Sequence, residues 1–323
     1  MGDGTKIEWT DATLNVVNGC SVISPGCANC YAMRSGARGL PHHPSTGLTR
    51  PTKNGHVWTG ELRFNEAALE LPLRWTKPKK IFWNAHGDLF HEDVPVEWID
   101  KCFAVMAATP QHIHQVLTKR PERMREYARQ AMGSGEHWLA HCERSHAPMW
   151  PLPNVWLGTS VEDQLRAEQR IPPLLLTPAA VRFLSCEPLL GPIDFSTLPL
   201  RSGGGTAALY NPLSGEHSNC QLSRTPRIHW VICGGESGRG ARPMNPVWVE
   251  LLMIQCDLAG VPFLFKQWGD WAPAPPDVLA DLRLVHEFAD GQRVGRFGKT
   301  VAGRSLGGRH HDGFPEGAIN ARV

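Results

Sequence analysis

The chain has 323 residues, 41% apolar and 20% charged, which excludes a lone small module and a disordered or fibrous polypeptide. Lysine and arginine number 33 against 31 acidic residues, a formal charge of +2, so no long-range field marks a polyanion partner and any nucleic-acid surface has to be local. Glycine and proline number 32 and 27, a usage that places much of the chain in turns and long loops.

From the N-terminus, MGDGTKIEWTDATLNVV lacks the basic and then apolar pattern of a secretory leader, and Lys6 stands where a myristoylation signal wants Ser or Thr. The most apolar run, VWVELLMIQCDLAGVPFLF, carries Glu250 and Asp257 and does not read as a membrane span. The expectation is a soluble, cytoplasmic protein without a membrane partner. Nine cysteines in a chain of this size fit reduced thiols better than a disulfide framework.

Residues 10–60 are rich in Gly, Pro and Thr and hold Cys20, Cys27 and Cys30 as C-x6-C-x2-C within NGCSVISPGCANCYAM. Gly19, Pro25 and Gly26 supply turns that let three thiols converge, and converging thiols suggest a metal. A structural zinc wants a fourth ligand, and the nearest histidines, His42 and His43, sit in a Pro-flanked loop. An iron–sulfur centre with one open position, a zinc site and three unrelated thiols all stay open at this point.

Six segments then share one form, an apolar or β-branched run ending abruptly in polar or small residues: KIFWNAHGDLF at 80–90, IHQVLTKRPERM at 113–124, NVWLGTSVEDQ at 154–164, AVRFLSCEPLLG at 180–191, IHWVICGGESGRG at 228–240 and VPFLFKQWGDW at 261–271. Helix-compatible stretches lie between them at 95–108, 121–132, 161–176 and 246–259. Strand, loop, helix, strand repeated in this way predicts an α/β fold with a parallel sheet, doubly wound or curled into a barrel. Ligands in both sit at the carboxyl ends of the strands. Insertions interrupt the pattern at about 133–153 and 202–227, and the organisation expected is an N-terminal segment over 1–60, a barrel core over 61–270 and an extension over 271–323 that packs on the core.

The strand ends supply the candidate residues. Asn84 and Asp88 stand at a strand end as candidate ligand contacts, and Asp88 reads equally as a helix cap. Thr159, Ser160 and Glu162 are candidate ligand contacts at the next strand end, or Ser160 can open a capping box with Asp163. Gly234, Gly235 and Glu236 allow a close ligand approach or a tight turn, and Arg239 and Arg242 offer charge to a carboxylate or phosphate. Lys119, Glu187 and Lys266 are candidate catalytic charges, and Lys119, Arg120, Arg239 and Lys266 form an expected cationic rim for an anionic substrate. Trp83, Trp156 and Trp230 read as core; Trp268 and Trp271 read as core or as platforms for a base. Cys186 and Cys233 read as small core residues, and His137, His141, Cys142 and His146 form a cluster without a standard metal spacing.

The segments TKIEWTDAT, NGC with SPGCANCYA, NAHGDLFHEDVP, LTKRPERM, VWLGTSVED, FLSCEPLLG, WVICGGESGRGARPM and PFLFKQWGDW, in this order from Thr5 to about Gly313, resemble the phage-associated three-Cys-motif family, which is itself similar to the radical S-adenosylmethionine (SAM) superfamily. The cysteine loop differs from the common C-x3-C-x2-C of that superfamily in its longer first gap, and Asn29 precedes the last cysteine where an aromatic often stands. The resemblance implies a partial (β/α)6 TIM-like barrel with the cysteine loop after its first strand, and a 4Fe–4S cluster on Cys20, Cys27 and Cys30. It further implies SAM bound at the strand ends, with its ammonium at Asp88 oriented by Asn84 and its carboxylate and ribose at Thr159, Ser160 and Glu162, an electron donor such as flavodoxin or ferredoxin, and a host-cytoplasm location if phage-encoded. The expected activity is hydrogen abstraction that modifies or isomerises a thymine or other base in DNA, with basic stretches 34–56 and 77–80 supplying phosphate contacts. A zinc-stabilised, non-catalytic nucleic-acid-binding protein and a radical SAM repair lyase are the alternatives.

Overall fold

Short runs rich in Ile, Val, Phe and Trp form parallel strands buried on both faces, as expected for strands covered by helices rather than by water. The computed structural model describes residues 4–53, 55–133, 140–141, 149–200, 208–216 and 226–316. The fold is mixed α/β, and the chain divides into two compact units, Met1–Thr159 with Leu176–Arg182 and Glu316–Val323, and Ser160–Leu175 with Phe183–Pro315.

In the first unit β1 (Ala12–Leu14), β2 (Lys80–Trp83), β3 (Ile113–Thr118) and β4 (Val155–Ser160) lie side by side, with Ala12 opposite Ile81, Lys80 opposite Ile113 and His114 opposite Val155. β1 is a parallel strand additional to the six apolar segments, too short at three residues to stand out by periodicity. After the cysteine loop comes α1 (Tyr31–Ala37), whose Gly36 allows close packing because a Cβ there would lie 2.8 Å from the Ser45 carbonyl oxygen. The β-hairpin of Thr49–Thr52 and Gly55–Trp58 follows. Proline at 95 and at 121 sets the starts of α2 (Val96–Ala108) and α3 (Pro121–Gly133). Phe103 on α2 packs its ring 5.1 Å from Tyr127 of α3 and 5.0 Å from Trp150. Trp83 is fully buried and donates its indole N–H to His114 Nδ1 at 3.0 Å, which leaves the His114 proton on Nε2 to face Thr109 Oγ1 at 3.0 Å.

In the second unit the Phe183–Cys186 part of β5 (Val181–Cys186), β6 (Trp230–Gly234) and β7 (Phe263–Gln267) are parallel neighbours, with Phe183 opposite Trp230 and Val231 opposite Phe263. Its helices are α4 (Gln164–Leu175) and α5 (Pro246–Ala259). Asn245 caps α5 by accepting from the Val247 N–H at 2.9 Å, and Gly260 closes it in the left-handed region at φ 63°. Asp163 opens α4 by accepting from the Arg166 N–H at 2.9 Å; Ser160 belongs to β4, so the capping box expected from Ser160 is not formed. The tail runs along β7, where the Phe265 N–H donates to His311 O at 2.9 Å, the Gly313 N–H donates to Phe263 O at 3.0 Å, and the Trp230 indole donates to Gly313 O at 2.7 Å. That pairing covers the outer edge of β7 with backbone partners. Among the described residues no helix is long and apolar enough to cross a membrane.

Candidate functional site

The cysteine loop leaves β1 and returns to the carboxyl ends of β2 and β3, all within the first unit. A 3₁₀ turn at Pro25–Cys27 and backbone bonds from Cys27 N to Ser24 O at 2.9 Å and from Cys30 N to Cys27 O at 3.2 Å coil the loop, and Cys30 occupies the N-cap of α1. The loop is stitched to the segment after β2: Gly19 N donates to His86 O at 3.1 Å, Gly19 bridges Gly87, and the Tyr31 hydroxyl donates to Ala85 O at 2.5 Å. Gly87 is dictated by this contact, because a Cβ there would lie 2.4 Å from the Val17 carbonyl oxygen. Cys20 and Cys30 pack against an apolar cluster of Ala32, Met33, Leu48 and Trp58.

This burial pushes the Cys20 thiol up to about 12, with the Asp88 carboxylate raising it further and the Arg120 guanidinium opposing. Burial likewise pushes the Cys30 thiol up, against the backbone N–H groups of Met33 and Ala32. Cys27 acts electrostatically on both thiols, so the three share one neighbourhood. Among the described residues no group of three or more His, Cys, Asp or Glu side chains stands in a metal-holding arrangement. The fit to an iron–sulfur centre therefore rests on donor chemistry: three thiols on one loop are the soft ligand set that such centres take, and a bound metal deprotonates thiols that burial otherwise keeps protonated.

Asp88 is buried, and its four strong acceptor contacts come from this chain: Oδ1 accepts from Phe90 N at 3.0 Å and Thr118 Oγ1 at 2.6 Å, and Oδ2 accepts from Lys119 N at 3.1 Å and Arg120 Nη1 at 3.0 Å. Through these contacts Asp88, expected to meet a ligand ammonium, ties the ends of β2 and β3 together. It also caps a turn at Phe90 and not a helix. Asn84 holds φ 58°, unusual outside glycine, while its Oδ1 accepts from the N–H groups of Val16 at 3.0 Å and Val17 at 2.9 Å. Its Nδ2 is buried without a hydrogen-bond partner among the described residues, a donor available to a ligand.

Arg120 is not a rim cation. It is 8% exposed and engages Asp88, Glu92 and Ser21, and it holds the Glu92 carboxyl down at about 2. Lys119 lies at the end of β3 with its backbone N–H on Asp88. Thr159 donates its hydroxyl to the Thr118 carbonyl at 2.8 Å and pins β3 to β4 instead of facing a ribose.

In the second unit the expected cofactor residues are mostly structural. Glu162 is completely buried and accepts from Arg170 Nη1 at 2.8 Å, and the same nitrogen donates to the Ser160 carbonyl at 2.9 Å. Gly235 needs its hydrogen because a Cβ would lie 1.9 Å from the Trp268 carbonyl oxygen, so the chain and not a ligand makes the close approach. Glu236 accepts from Arg242 through both oxygens, at 2.7 Å and 3.0 Å. Lys266 pairs with Glu187 at 2.6 Å beside Gly234, whose Cβ would lie 3.3 Å from Glu187 Oε1. Arg239 is exposed. Trp268, expected as core or as a base platform, lies in the core, 4% exposed, with its indole donating to Ser305 O at 2.8 Å. Trp271 donates to Ala241 O at 2.7 Å and lies beneath the Arg296 guanidinium. Trp83, Trp156, Trp230, Cys186 and Cys233 are buried core residues. His137, Cys142 and His146 lie outside the described residues, and His141 is exposed.

Sequence reasoning missed Ser21, His91 and Glu92, which surround Arg120. Their one signal was position: Ser21 follows a candidate ligand, and HED at 91–93 follows a strand-end loop. The chain belongs to a family described as "Protein of unknown function (DUF5131)", whose model matches residues 4–315. No curated protein and no solved structure matches it.

Proposed function

We propose that this chain is a radical SAM enzyme of partial-barrel type in which Cys20, Cys27 and Cys30 hold a 4Fe–4S cluster. The observation that carries the reading is that Cys20, Cys27 and Cys30 lie on one loop leaving β1 and stitched to the segment after the parallel neighbour β2. When bound, the cluster and SAM supply one-electron cleavage chemistry that abstracts hydrogen from an unactivated carbon. The chain's own residues do the rest. Ala32, Met33, Leu48 and Trp58 form the apolar side against which Cys20 and Cys30 pack, Asn84 holds the turn leading into the loop by accepting from two backbone N–H groups, Asp88 ties the segment after β2 to the end of β3, and Asn84 Nδ2 offers a buried donor to a ligand carboxylate.

A nucleotide in DNA is the substrate we propose, following the resemblance to phage proteins and the radical chemistry. The supporting charge is smaller than composition suggested, since Arg120 and Lys266 are ion-paired. Lys119 at the end of β3 and Arg239 on the surface are the positions we propose for phosphate contact. Flavodoxin or ferredoxin in a cytoplasmic setting would supply the electron.

Anaerobic reconstitution with iron and sulfide, followed by SAM and dithionite, is expected to yield 5'-deoxyadenosine. The variant with Cys20, Cys27 and Cys30 all replaced by Ala is expected to bind no iron. Iron at wild-type stoichiometry in that variant, or no 5'-deoxyadenosine from a loaded wild type, would overturn the reading. If DNA is the substrate, affinity falls with log salt at a slope of roughly −0.9 per phosphate contact; salt-independent binding would point to a small molecule.

A further inference from the structure

Arg120 is held by every nitrogen of its guanidinium. Nε donates to Glu92 Oε2, Nη2 donates to Ser21 Oγ at 2.6 Å and reaches Glu92 Oε1 at 3.4 Å, and Nη1 donates to Asp88 Oδ2 at 3.0 Å. Nη1 also points at the Cys20 sulfur, 3.8 Å away. Two carboxylates would by themselves satisfy a buried guanidinium, so the sulfur contact is what this placement adds.

The hydroxyl between them is fully used. The Asp93 N–H donates to His91 Nδ1 at 3.2 Å, so the His91 proton sits on Nε2 and faces Ser21 Oγ at 2.9 Å. Ser21 therefore accepts from His91 and Arg120 and donates to Glu92 Oε1 at 3.1 Å. That polarity excludes a Ser21 nucleophile with His91 as its base, although the Asp93 carboxylate lies 3.8 Å from His91 Nδ1. Asp88, Glu92 and Ser21 together fix the guanidinium, and its Nη1 faces the sulfur.

We propose that Arg120 is a positioning residue that aims Cys20 and raises the reduction potential of the centre held there, by giving one of its sulfurs an N–H donor and a nearby positive charge. The inference rests on the iron–sulfur reading above. A rigid planar fork keeps the donor aimed where a flexible ammonium would not, and hydrogen bonds to sulfur together with local charge are what set the potentials of such clusters.

The test is an EPR-monitored redox titration of the reconstituted full chain. Arg120→Gln and Arg120→Lys are expected to bind iron and to shift the midpoint to more negative potential, by at least the 59 mV that corresponds to a tenfold change in a one-electron equilibrium for Arg120→Gln and by less for Arg120→Lys. A purely structural role would lower cluster yield and leave the potential of the loaded fraction unmoved. If the variants do not fold, wild-type protein grown with ¹⁵N-arginine provides the answer, since the reduced cluster is expected to show a ¹⁵N modulation by pulsed EPR. An unshifted potential or no ¹⁵N modulation, with a normal cluster signal, would overturn this inference alone. No iron–sulfur signal in the wild type would overturn the enzyme reading and this inference with it.

Discussion

Replacing Arg170 by Met removes the guanidinium that faces Glu162 and keeps most of the aliphatic volume on α4. The Glu162 carboxylate has no exposed surface and the Arg170 side chain has 7%, so solvent cannot take over the lost contact. Breaking a buried pair from one side costs about 3–5 kcal/mol, because the buried carboxylate loses its guanidinium. The Ser160 carbonyl loses a donor at the same time, a cost shared with the first, since the two contacts use one nitrogen. With a melting shift of roughly 2–4 °C per kcal/mol for a unit of this size, the midpoint should fall by about 6–20 °C in calorimetry. Glu162→Gln with Arg170→Met removes both charges and should recover more than half of that loss. SAM affinity measured below the transition should not change in either protein. A single variant within about 1 kcal/mol of wild type in urea unfolding would mean that Glu162 is solvated or protonated, and would refute the assignment of Glu162 to the framework.

Gly235→Ala puts a methyl 1.9 Å from the Trp268 carbonyl oxygen, and backbone on backbone cannot yield as a side chain can; a loss of about 3 kcal/mol or more is expected by chemical denaturation, and a stable variant would show that the β6 and β7 ends are farther apart. Burial, with help from His112, holds the His114 imidazole down at about 3. Below its ordinary value of 6.5 the unfolded chain takes up a proton that the folded chain refuses until about 3. This part of the stability is therefore complete above 6.5 and is lost as pH falls through that window, at about 1.4 kcal/mol per pH unit. His114→Gln should flatten the acid limb of stability against pH by one proton, and an unchanged limb would refute it. Trp268→Ala should cost about 3–5 kcal/mol as a core truncation while leaving any DNA affinity intact; a loss of binding without a loss of stability would restore Trp268 as a base platform.

The strands were legible because parallel strands covered on both faces are continuous apolar runs, as in VWLGTS and WVICG, and α5 was legible to its last residue because Pro246 and Gly260 mark its ends. β1 was not, since ATL carries too few residues for any period. The cysteine loop stood out through spacing and turn residues alone. What did not show was which polar residues at strand ends were already engaged. Asp88, Thr159, Glu162 and Glu236 look like ligand contacts when read one strand at a time, but their partners Arg120, Thr118, Arg170 and Arg242 lie 6 to 41 positions away along the chain. Charge pairing at these distances follows from chain reversal, which composition and periodicity do not encode. Ser21 and Glu92 were hidden for the same reason, 99 and 28 positions from Arg120.

Asn84 spends its amide oxygen on two backbone N–H groups of the turn after β1 and holds a left-handed backbone while doing so. A residue there other than Asn or Gly would have to pay in strain of about 1–3 kcal/mol, and one that lacked the amide would release the turn leading to Cys20. The consequence concerns association thermodynamics. Ordering a mobile side chain on binding costs about 0.5–1.5 kcal/mol, and at this corner folding has already met that cost. A ligand that reaches Asn84 Nδ2 should therefore bind with a small entropic penalty, and calorimetry of Asn84→Ser should show that penalty grow while the binding enthalpy weakens by one hydrogen bond.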